Sequence, residues 1–186
     1  MTSSPLIQTL RMLTRYSRWA DEKLFDALGR LPSGAAEEKK GFGGMLFNMN
    51  HNLIVDRIWR GHLEGKPHGY TARVTQEVPT LAELRAAQAE LNDWYIAYAD
   101  GLTEAAYFEM IDFKYVDGGP GHLSRGDMML HIVNHKTYHR GFVGELCFQV
   151  PGHRAPTIDL PIFLRDAPAS ETLRESAPAT RAATAA

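Results

Sequence analysis

Cysteine is almost absent: Cys147 is the only one in 186 residues. No internal disulfide can form, and the composition fits a reducing, cytoplasmic setting. On a helix this residue reads as a small buried hydrophobe rather than a catalytic thiol. An excess of either charge is also lacking, with 20 Lys and Arg against 22 Asp and Glu, a net of −2. Without a basic patch, neither nucleic acid nor an anionic membrane is an expected partner. No apolar run reaches the ~20 residues of a membrane-spanning helix. The N-terminus has no basic-then-apolar leader pattern. Internal repeats are missing as well. The length suits one domain with a real core and is short for two.

What is present is helical periodicity. Ser4-Pro5 opens a first helix, which carries Leu6, Leu10, Leu13, Ala20, Leu24 and Leu28 and stops at Gly29 and Pro32. Gly44–Leu63 reads as the second. A loop over Gly65–Pro79 follows, long enough to cover something. Thr80 and Glu83 form a capping box for a third helix, which runs to about Leu102. Ala106–Val116, rich in aromatic and β-branched residues and ending in Asp117-Gly118-Gly119-Pro120, predicts a short hairpin or extended arm. Ser124–Gln149 is the last long helix, and Pro151-Gly152 ends it. Beyond Ile158–Arg165, a short clasp, the Ala, Ser, Thr, Pro and charged residues of 166–186 read as a disordered tail. These elements predict an all-α four-helix bundle over 1–165, with a long crossover and a possible hairpin before the last long helix.

Histidine supplies the chemistry. The last helix carries His131, His135 and His139. Residues four apart differ by about 40° and 6 Å, so neighbouring pairs can converge on one ion, whereas His131 and His139 stand about 12 Å apart. On a helical wheel Met128, Ile132, Phe142, Val143 and Leu146 form an apolar stripe, with His135 and His139 inside it and His131 on its edge. The favoured pair is therefore His135 and His139. His51, on the second helix, clusters with Phe47, Ile54, Val55 and Ile58 and offers a third ligand. Hydrogen-bonded core histidines would satisfy the same spacing. His62, about 16 Å further along the axis, lies too far away to join. Asp56, roughly 140° from His51, is poorly placed to reach a shared ion.

The segment His131-Ile-Val-Asn-His135-Lys-Thr-Tyr-His139-Arg140-Gly141 resembles the signature of the DinB-like family, whose members are regarded as metal-dependent enzymes. Asn50-His51-Asn52-Leu53, with Asp56 and Trp59, matches that family's earlier histidine helix, and Tyr16–Asp21 resembles its first helix. The similarity covers about residues 5–165 and is specific only at its histidine-rich end. It implies the bundle fold and the ligand set His51, His135 and His139. It also implies either hydrolysis or transfer of a low-molecular-weight thiol onto an electrophile.

Neutral imidazoles suit Zn, Ni, Fe or Cu and disfavour Mg or Ca. Three protein ligands leave a position open, as catalytic zinc sites do. The expected partners are a small-molecule substrate and a thiol cosubstrate, with a homodimer as the expected assembly. A non-catalytic, stress-associated dimeric metal-binding module is the alternative. No general base stands out; Asn134 and Tyr138 flank the ligands as supporting or packing residues.

Overall fold

The structure is a computed structural model, and it describes residues 4–38 and 41–173. Pro5–Leu28 (α1), Met45–Glu64 (α2), Leu81–Gly101 (α3) and Arg125–Phe148 (α5) are the long helices. A 3-10 turn at Gly41–Gly43, a short α4 at Glu104–Tyr107, α6 at Leu160–Asp166 and α7 at Ala169–Thr172 complete the helical elements. Among the described residues, the fold is all-α apart from one antiparallel hairpin, β1 Met110–Lys114 with β2 Pro120–Ser124.

Local chemistry explains most boundaries. Proline sits in the first turn of α1 after Ser4, and Gly65 closes α2 at φ 66°, where a side chain would be strained. Thr80 and Glu83 make both bonds of the capping box. The Ser124 hydroxyl accepts from the Asp127 backbone N–H, so β2 passes into α5 with no intervening loop. Gly126 follows, and a Cβ there would lie 2.2 Å from the Tyr107 ring, so only glycine lets α4 seat on α5. The hairpin lies further along than expected. Its second strand uses Pro120–Ser124, and Glu104–Tyr107 is helical because Thr103 caps it.

α1 packs on α3 and α5, and α2 packs on α5 and α3, making the four-helix bundle. Leu10, Leu24, Met49, Leu53, Leu84, Leu91, Met128 and Val143 lie in its core. Around Tyr16, Ala20 and Phe163 a satellite cluster forms, with the Tyr16 hydroxyl donating to the Ile158 carbonyl at 2.9 Å.

Part of the stretch expected to be tail is packed. Thr172 is buried, and Glu171 pairs with Arg18 at 2.7 Å. The remainder of that expected tail, 174–186, lies outside the described residues.

The face that α5 turns inward corrects the wheel. Phe142, expected in the apolar stripe, is 41% exposed, while Lys136 and Arg140 are 1% exposed. The cause is a buried ionic network. The Lys136 ammonium lies 2.6 Å from an Asp21 oxygen and 3.2 Å from Asp56. Arg140 pairs with Asp21 at 2.9 Å and donates to the Ser17 hydroxyl. Gln88 and Asn92 of α3 complete it by donating to Asp56 and Asp21. All four long helices thus contribute a polar side chain to the interior. Asp56, already judged unsuited to the histidine site, serves this network instead.

Candidate metal centre

His51 comes from α2 and His135 and His139 from α5, and each offers a ring nitrogen within 4.8 Å of the others. Their ring centroids are 4.6–5.1 Å apart. His51 and His139 are buried and His135 half-buried. The three residues selected by the two wheels are thus brought together. His131 stays at the edge as expected, with its ring against Trp59 at 4.8 Å and 5.5 Å from His135.

Two of the three rings are oriented from behind. His51 Nδ1–H donates to the Arg73 carbonyl at 2.9 Å, which leaves a lone pair on Nε2. The Asn48 amide donates to the Phe42 and Gly44 carbonyls. Its own oxygen therefore faces His139 Nδ1, 3.2 Å away, and accepts that proton. Metal-holding histidines are characteristically anchored this way. His135 Nδ1 has no hydrogen-bond partner among the described residues.

One pair of the donor set has the spacing that a transition metal requires. His51 Nε2 and His135 Nε2 lie 3.3 Å apart. Two imidazoles bound at 2.0–2.1 Å in tetrahedral geometry would have their nitrogens about 3.3–3.4 Å apart. Burial keeps the rings neutral, the form that ligates. It lowers His51, and it lowers His135 to about 3 and His139 to about 4, with neighbouring rings adding to the effect on both.

Two cavities meet at this triad. A larger one, about 640 Å³, has the rings of Phe42, Phe47, Tyr138 and Phe142 in its wall. A smaller one, about 180 Å³, is walled by Trp59, His62, Tyr115 and His131. His51, His135 and Arg73 line both. Tyr138 therefore faces a cavity, whereas Asn134 is exposed and lines neither.

Sequence reasoning missed Asn48, Phe42 and Arg73. Asn48 stands three residues before His51, a helical neighbour on the same face, and its spacing was a usable signal. Arg73 lies in a loop with no period and gave none.

A curated relative, Protein DinB of Bacillus subtilis (strain 168), is 21% identical over 152 residues, covering 78% of this chain and 88% of its own. No solved structure matches. The DinB family profile matches residues 6–175, nearly the whole chain and all three histidines, and the chain belongs to the DinB family.

Proposed function

We propose that the protein is a metal-dependent enzyme in which His51, His135 and His139 hold a divalent transition metal, Zn, Ni or Fe. Its reaction is transfer of a low-molecular-weight thiol onto an electrophile. The observation that supports this most is the meeting of two cavities at one three-nitrogen centre. Two substrates need two compartments, whereas hydrolysis, which the same centre would also support, needs one compartment and water.

A bound divalent metal would supply Lewis acidity, lowering the pKa of a coordinated thiol or water. The chain's own residues do the rest. The Arg73 carbonyl and the Asn48 amide fix two imidazoles with their lone pairs inward. The rings of Phe42, Phe47, Tyr138 and Phe142 offer a bound substrate apolar contact in the larger cavity. Cys147 is fully buried, and burial raises its thiol pKa, so the nucleophile comes from outside the chain. The homodimer and the cytoplasmic setting belong to the same reading.

The test begins with metal analysis of protein purified without a nickel column. A screen of small thiols with electrophiles then follows thiol consumption. The expected result is one equivalent of metal and a metal-dependent loss of thiol. Metal uptake with ester or amide hydrolysis but no thiol transfer would favour the hydrolase. A fully liganded metal with neither activity would favour the non-catalytic module.

A further inference from the structure

Among the described residues, the larger cavity is apolar apart from the histidines, Asn48, the Tyr138 hydroxyl and one charge. That charge is the Arg73 guanidinium, and no carboxylate lines the wall to neutralise it. Nine other arginines donate to a carboxylate, a carbonyl or a hydroxyl, as Arg11, Arg85, Arg125 and Arg140 do. Arg73 has no ion-pair or hydrogen-bond partner for its side chain among the described residues. Its backbone is held at the site, because its carbonyl accepts the His51 Nδ1 proton at 2.9 Å. Thr75, two residues on, accepts from the Asn50 amide at 2.9 Å, so the loop is tied to α2 on this side. Arg73 also lines the smaller cavity, whose one carboxylate, Asp117, accepts from the Gly119 backbone N–H. The cation is close enough to the triad for its charge to disfavour protonation of His51 and His135.

We infer that Arg73 is a specificity-determining residue that binds a carboxylate on the ligand occupying the histidine centre. The protein's substrates are accordingly small carboxylate-bearing molecules rather than neutral or cationic ones. This rests on the metal-enzyme reading above and adds the substrate class. A guanidinium offers a planar fork of N–H donors that matches a carboxylate with two parallel bonds. Arg73 retains that capacity, because none of the described carboxylates pairs with it. A carboxylate held there would place the rest of a short ligand against the triad. The aromatic rings Phe42, Phe47, Tyr138 and Phe142 would cover its apolar part. Arg73 is an exposed residue, so the attraction is partly screened and falls with salt.

The test uses the full chain loaded with Co²⁺, whose visible spectrum reports ligand exchange. Two thiols of similar size serve as probes, 3-mercaptopropionate with a carboxylate and 2-mercaptoethanol without one. The carboxylate thiol should bind about tenfold more tightly at low salt, a preference that shrinks as NaCl is added. In Arg73→Gln, which keeps the backbone carbonyl, the preference for the carboxylate thiol should disappear when affinities are read per equivalent of Co²⁺ bound. Arg73→Lys should restore part of it. Equal affinities for the two thiols, or a preference undiminished in Arg73→Gln, would overturn the inference while leaving the metal centre standing. Should neither thiol alter the spectrum, the thiol reading fails, and propionate against propionamide decides the Arg73 question on the same protein. Absence of Co²⁺ uptake would refute the metal reading and this inference together.

Discussion

Asn48 shows how one side chain sets the chemistry of another. Its amide spends both protons on the Phe42 and Gly44 carbonyls, so its oxygen can only accept, and His139 must carry its proton on Nδ1. Asn48→Ala removes that acceptor and frees the ring. Metal affinity should fall about 10–100-fold, as expected for loss of an orienting partner, with little change in helicity; competition against a chromogenic chelator measures it. An unchanged affinity would mean that packing alone orients the ring. The same residues set the pH response of the metal-free protein. His135 and His139 titrate at about 3 and about 4 in the folded chain, against 6.5 unperturbed. As pH falls from about 6.5 to about 4, the unfolded chain takes up protons that the folded chain refuses, so stability drops. Each ring contributes at most about 1.4 kcal/mol per pH unit in that window, and nothing above it. Urea midpoints at pH 7.5 and pH 5 should differ accordingly, and the difference should shrink in the double variant His135→Gln/His139→Gln. A midpoint that does not move with pH would refute this.

Helices are legible in sequence where their signals are local, and α5 shows where that stops. Its start at Ser124 and its end before Pro151 could be read directly, as could the Thr80–Glu83 box of α3. Its inward face could not, because a wheel counts lysine and arginine as outward and phenylalanine as inward. Here Asp21 and Asp56, more than 75 residues earlier in the chain, turn Lys136 and Arg140 inward and leave Phe142 half in solvent to line a cavity. Even so, His135 and His139 converge with His51, since the histidine face borders both the apolar and the ionic stripes. Arg73 stayed invisible because a loop has no period from which a neighbour can be inferred. The network makes a prediction at this scale. Lys136→Met removes the one cation that reaches both carboxylates, leaving Asp56 without a counter-charge. Breaking a buried pair in this way should cost about 3–5 kcal/mol, read as a lowered urea midpoint. A loss under about 1 kcal/mol, the worth of an exposed pair, would mean that water reaches the cluster.

In the whole molecule, the core and the histidine centre are separate sources of stability. The main core joins residues of all four long helices, and the satellite cluster seals α6 onto α1 through Phe163, which is fully buried. A chain of this length has apolar surface enough to fold without an ion, unlike a small zinc finger. Two substitutions should therefore dissociate the two properties. Phe163→Ala leaves the triad untouched and should cost about 3–5 kcal/mol of stability, with metal stoichiometry unchanged. His135→Ala should leave a helical protein with the circular dichroism of the parent, yet with its bound metal largely lost, because two imidazoles are too few to hold an open-site ion firmly. Its thermal midpoint should match that of the metal-free parent rather than the metal-loaded one, since bound metal adds RT ln(1 + [L]/Kd) to the folded state alone. Circular dichroism and elemental analysis on the same preparations give both readings. An unfolded His135→Ala variant would make the metal a structural element and would move the functional argument toward the non-catalytic module.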